Sequence, residues 1–253
     1  MKNKNYKHKP LSREDKMYRI VYFSMVLALF SCSKVNSDLV KSEGLYFNTS
    51  VTRKAGSLKC LTTLNVGGST GTFVDITGSE SLTCNGLPMK RFSNVANQIW
   101  YEVVLPIGTV SPFEVVFDRP KEKLKATATM PEEIQEVAAI RTDLNIGLDI
   151  PIAWKPSSDS KDVMVVYLTL TSSSGVTKSI TLTDTAPETG NLVISGSETK
   201  IIRFNQITHQ DEFVPGPYSA VLSMQRLRMG ENLSSWSGRI NAVQQTEIAF
   251  KLK

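Results

Sequence analysis

The 253-residue chain is short of the side chains on which most enzyme chemistry depends. It has two histidines, His8 and His209, and three cysteines, Cys32, Cys60 and Cys84. No H-E-x-x-H and no paired C-x-x-C occurs, so a two-histidine or zinc-ribbon metal site is excluded from the body of the chain. With 15 Gly and 11 Pro it is neither collagen-like nor low in complexity. Net charge is missing too, once the first 31 residues are set aside. Those residues hold seven of the 29 basic groups and two of the 24 acidic ones, which leaves 22 of each sign in the rest. A body without net charge cannot neutralise a run of phosphates, so no nucleic-acid partner is expected. Lys121, Lys123 and Lys125 alternate with Glu122 as a solvated strand face would, and Arg226 and Arg228 are too few for a nucleic-acid surface.

Long apolar runs are equally scarce. The one present is residues 20–30, IVYFSMVLALF, preceded by basic residues ending at Arg19. Eleven residues are too few to span a bilayer of ~30 Å but fit the apolar core of a signal peptide. A buried core helix is the alternative, although such a helix is normally amphipathic and this run is apolar on every side. Leu29-Phe30-Ser31-Cys32 follows and resembles the lipobox of bacterial lipoproteins, with Phe30 bulkier than is usual there. The resemblance covers residues 17–32 only, and Met17 is as good a start as Met1. It implies that residues 1–31 are a cleaved signal peptide and that Cys32 becomes the lipidated first residue of the mature chain. Ser33, rather than Asp, implies an outer-membrane destination. The partner expected first is therefore a membrane, reached through a lipid anchor. Residues 32–43 are polar and read as a tether.

Setting Cys32 aside leaves Cys60 and Cys84, an even number for an oxidising compartment. Both lie in strand-like text. A Cys60–Cys84 disulfide is the expectation, with two buried free thiols as the alternative.

From residue 44 onward apolar and polar residues alternate, and turn pairs recur at short spacing. Roughly seven strands fall within 44–130, enough for one β-sandwich, and seven more follow residue 140. The acidic stretch 131–139, opening at Pro131, reads as one helical turn or a linker. The fold class predicted is all-β, as two sandwiches in tandem. The second set carries a further resemblance. Leu148, Ile150, Ile152 and Trp154 followed by Pro156 resemble the B strand of fibronectin type III and related Ig-like domains. Pro215-Gly216-Pro217-Tyr218 resembles the start of their F strand, with Tyr218 at the tyrosine-corner position. Pro151 lies mid-strand on the opposite face, where it removes a ladder donor and points to an edge strand or bulge.

Catalytic patterns are thin. Gly67-Gly68-Ser69-Thr70-Gly71 fits G-x-S-x-G, but strand-like TFVDI follows where a nucleophile elbow needs a helix. His209 stands alone in a loop-like stretch beside Asp211 and Glu212. Asp159 and Asp162, with Lys161 between them, fall short of the six to eight oxygens that calcium takes. Neither a catalytic residue, a cofactor nor a metal is expected. The function implied is a non-catalytic, membrane-anchored envelope module for binding, adhesion or spacing, taking an envelope protein or surface glycan. A carbohydrate-binding or enzyme-accessory lipoprotein is the alternative, and a serine esterase or peptidase comes third. Exposed aromatic rows would favour the carbohydrate reading; Trp100 and Tyr101 are adjacent and so face opposite ways. Trp236, in ENLSSWSG between the last two strands, either presents its ring to a partner or folds back to cover the sandwich.

Overall fold

The computed structural model describes residues 34–135, 137–138, 143–183, 188–234 and 236–253. Cys32 and the apolar run at 20–30 lie outside the described residues. Among those described, no helix is long and apolar enough to cross a membrane. The chain opens with β1 (Lys34–Asn36) and two 3₁₀ turns, Ser37–Leu39 and Ser42–Gly44. Next come β2 (Leu45–Lys54), β3 (Ser57–Val66), β4 (Thr72–Asp75), β5 (Ser81–Cys84), β6 (Leu87–Pro88), β7 (Lys90–Ser93), β8 (Ile99–Leu105), β9 (Phe113–Arg119) and β10 (Glu122–Ala128). The second group is β11 (Asp143–Leu144), β12 (Ile150–Ala153), β13 (Val163–Ser172), β14 (Thr177–Thr183), β15 (Asn191–Ile194), β16 (Ile201–Asn205) and β17 (Gln210–Val214). It ends with β18 (Tyr218–Met229), β19 (Glu231–Asn232) and β20 (Ser237–Leu252). The fold is all-β, two Ig-like sandwiches, as the alternation predicts.

Tight turns set the register. Ala55-Gly56 (φ 44° and 75°) joins β2 to β3, and Asn85-Gly86 (φ 47° and 77°) joins β5 to β6. Positive φ at both central positions gives the hairpin a twist that matches its strands. The G-x-S-x-G stretch is also a turn. It pairs Asn65 with Phe73 and Val66 with Thr72, and a Cβ on Gly71 would lie 2.0 Å from the Val66 carbonyl oxygen. Its glycines close a hairpin, and Ser69 has a strand on either side.

In the first sandwich, β1-β4-β3-β2 with β8 and β7 faces β10-β9-β5-β6. Phe47, Val51, Leu58 and Leu64 meet Leu82, Val115, Phe117 and Leu124 between the layers. In the second, β20-β18-β13-β14 supplies Met164, Val166, Leu168, Leu222 and Phe250 against Ile150, Ile152, Trp154 and Ile194 around the β12–β15 pair. Period-two burial on each strand is what packs two sheets face to face. Tyr218, Ala220, Leu222 and Met224 are all buried, as that period predicts. Leu148, expected with the buried B-strand residues, is 57% exposed because β12 begins only at Ile150. Pro151 sits on β12, whose only strand partner among the described residues is β15.

Three expected boundaries need correction. First, the two cores are not confined to 44–130 and 140–253. Residues 237–245 of β20 run parallel to β2, from Tyr46↔Ser237 to Lys54↔Gln245. Residues 241–252 of the same strand run antiparallel to β18. One 16-residue strand therefore carries both sandwiches in a continuous sheet, and Trp236, Ile240 and Ala242 belong to the first core. Second, residues 34–43 are not a free tether. β1 pairs with β4, Ser37 and Ser42 are buried, and Arg119 donates to the carbonyls of Ser37 and Val40 at 2.8 Å each. Third, the described part of 131–139 forms no helical turn and lies along the second sandwich. Lys155 N–H donates to the Gln135 carbonyl (3.1 Å) and Ala138 N–H to that of Ala153 (2.9 Å).

Candidate functional site

The connection between β15 and β18 in the second sandwich contains a hairpin, β16–β17, which pairs with no other described strand. Its root is buried: Ile201 and Val214 belong to the core. Tyr218 fixes that root. Its hydroxyl donates to the Val214 carbonyl and accepts from Ile201 N–H at 3.4 Å. Bonding to a carbonyl four residues upstream is the tyrosine-corner contact, here also holding the base of the arm.

Beyond the root the arm turns its apolar side outward. Ile202 and Phe204 share a face at period two, and the cross-strand pair Ile202↔Phe213 adds Phe213 to it. All three are exposed, Phe204 at 57%, and Ile207 at the tip is 90% exposed. The opposite face carries Arg203 across from Glu212, and Asn205, whose amide donates to Glu212 at 2.6 Å. The tip is ordered by Asn205, whose side-chain oxygen accepts from Ile207 N–H (2.8 Å) and Thr208 N–H (3.3 Å). His209 takes φ +54° in this turn, its ring 6.3 Å from that of Phe204. Phe213 continues into a shallow concavity of ≈ 590 Å³ lined by Ile146, Gly216 and Pro217 with Lys200 and Lys253. Three large apolar side chains share the outward face with Asp211, which lies opposite Phe204, and a fourth, Ile207, stands at the tip; exposed apolar surface concentrated in this way marks an interaction surface. The arm stands at the free end of the molecule. Tyr218 pairs with Leu252 and Ser172, whereas the other end of β18 pairs Met229 with Asn241 beside the first sandwich.

Trp236 is not part of any exposed surface. It is 2% exposed, stacks on Phe47 at 4.0 Å between ring centroids, and donates Nε1–H to the Lys125 carbonyl at 3.3 Å. Its partner-binding role is corrected: the ENLSSWSG segment crosses to the first sandwich, with β19 paired to β10. Gly238 permits that approach, since a Cβ there would lie 2.0 Å from the Phe47 carbonyl oxygen.

Cys60 on β3 and Cys84 on β5 face each other across the first core, both buried and both free thiols. The expected disulfide is thus absent from this structure, although the pair is in contact. The hydrogen bond it shares with Cys84, together with burial, holds Cys60 in its thiol form and pushes its pKa well above the ordinary value.

The loop carboxylates are structural. Asp162 is buried, accepts two hydrogen bonds from Arg228 (2.6 and 3.0 Å) and one from Ser157 (2.6 Å). Arg226 and Glu188 form a buried pair at 2.7 Å that sequence reading missed. Trp100, in the first sandwich, stacks on Phe92 at 5.9 Å rather than extending a row. Tyr101 is buried beside it; its hydroxyl accepts from Ile76 N–H at 2.8 Å, and burial pushes its pKa up to about 12. Among the described residues no group of three His, Cys, Asp or Glu is placed to hold a metal ion.

No family model matches the chain, and no curated protein matches it. Among solved structures, the chicken CNTN1 FN1–FN3 domains are similar over 82% of this chain, at 10% identity and a TM-score of 0.26. The match spans 64% of that longer chain. At that score it carries no weight beside the strand pairing itself.

Proposed function

We propose that the chain is a lipid-anchored, non-catalytic module of the bacterial envelope that binds a protein partner through the β16–β17 arm. One observation carries the reading: Ile202, Phe204, Ile207 and Phe213 lie exposed on a hairpin whose root is fixed in the core. Exposing that much apolar surface on a rigid element is unfavourable in water unless a partner covers it. The anchor rests on the lipobox-like Leu29-Phe30-Ser31-Cys32. An aliphatic and phenylalanine face suits an apolar protein surface better than a glycan, which would call for tryptophan or tyrosine platforms with polar rims.

A photo-crosslinking residue at Phe204, in cells, tests this. A discrete adduct should form there and not at Thr181 on β14. Ile202→Ser with Phe213→Ser should abolish it while leaving the thermal midpoint nearly unchanged. Equal adducts at both positions, or none at Phe204, would remove the arm as the contact element.

A further inference from the structure

We infer that the first sandwich rests end-on against the bilayer that holds the acyl chains of Cys32, with the 94–98 loop at the lipid headgroups. The inference depends on the proposed lipidation of Cys32 and adds an orientation to it. One residue separates Cys32 from Lys34, the first residue of β1. A residue spans at most about 3.6 Å, so the two Cα atoms lie within roughly 7 Å. No slack follows Lys34. Thr77 N–H donates to Ser37 Oγ at 3.0 Å, and the Arg119 side chain, 10% exposed, binds Ser42 Oγ, the carbonyls of Ser37 and Val40, and Glu80.

Register places the start of β1 at one end of the molecule. Lys34 pairs with Phe73, Phe73 with Asn65, Asn65 with Tyr46, and Tyr46 with Ser237 at the start of β20. The 67–71 turn lies at that end, joining Val66 to Thr72. The 94–98 loop lies there too: it precedes Ile99 on β8, which runs antiparallel to β3 with Tyr101 opposite Thr62. Neither loop carries a charged side chain, whereas the β9–β10 turn beside Ser37 and Ser42 brings Lys121 and Glu122 to the same end, with Glu43 just before β2. The 94–98 loop is also ordered, because Asn94 Oδ1 accepts from Ala96 N–H (3.0 Å) and Gln98 N–H (3.1 Å). Val95 at its tip is fully exposed. From Ser237 to Leu252 the shared strand extends at most about 50 Å at 3.3 Å per residue, and the apolar arm lies at its far end from the lipid.

The test uses full-length lipidated protein in vesicles of phosphatidylcholine and phosphatidylglycerol (3:1) carrying a headgroup spin label. A fluorophore is attached at Val95→Cys or, in a second protein, at Ile207→Cys; Cys60 and Cys84 are buried in the first core. Quenching at position 95 should exceed that at 207 at least threefold. Twenty Gly/Ser residues inserted after Ser33, with a root-mean-square span of roughly 25 Å, should reduce it to the level at 207. Vesicle-bound, palmitate-labelled protein with equal quenching at both positions would overturn the orientation and leave the anchor standing. Protein that takes up no palmitate would overturn the anchor and the orientation with it.

Discussion

Removing a guanidinium from water costs several kcal/mol unless all of its donors are satisfied. Arg226, 1% exposed, meets that condition. Nε and Nη2 bind the two Glu188 oxygens, and the remaining donors reach the carbonyls of Glu132, Glu133 and Lys155 at 2.7–3.2 Å. Glu188 also accepts from the indole N–H of Trp154 at 3.2 Å, so the core tryptophan, the ion pair and the strap before the second sandwich form one network. Arg226 continues the buried period-two face of Tyr218, Ala220, Leu222 and Met224, but nothing in the local text names its partner, which lies 38 residues away. The cysteine pair is the opposite case, since parity and strand placement pointed to contact and the thiols do meet. In an oxidising compartment they should bridge, closing a loop of about 25 residues that the chain-entropy model values at roughly 3 kcal/mol. Intact mass of the secreted protein should then rise by about two units on reduction. Two alkylatable thiols in the oxidised, denatured protein would contradict the bridge.

Individual strands were legible because burial imposes period two and turns demand particular residues. β2, β3, β9, β13 and β18 alternate as the sequence does, and Ala55-Gly56 and Asn85-Gly86 turn where they should. What alternation cannot supply is which side faces a core. Ile202, Phe204 and Phe213 have the spacing of core residues and point outward, because Tyr218 fixes the hairpin with Ile201 and Val214 inward. The same ambiguity hid Trp236, whose Ser- and Asn-rich surroundings suggest a solvated loop. Its stacking on Phe47 and its bond to Lys125 make it a core residue of the first sandwich. Trp236→Ala should cost roughly 3–5 kcal/mol, measured by urea unfolding. An unchanged midpoint would mean that the ENLSSWSG segment does not dock as described.

At the scale of the molecule, a count of strands gives two sandwiches but cannot reveal that β20 belongs to both. The parallel β2–β20 pairing joins residues about 190 apart in sequence, and no local pattern encodes it. Its consequence is an elongated body with fixed ends, the start of β1 at one and the β16–β17 arm at the other. That geometry suits a lipid-anchored binding module only if Cys32 carries the lipid. Radiolabelled palmitate fed to cells is the most direct check. The wild-type protein should take up label, and Cys32→Ala should accumulate unlabelled as a precursor that retains residues 1–31. Equal labelling of the variant, or none of the wild type, would contradict the account.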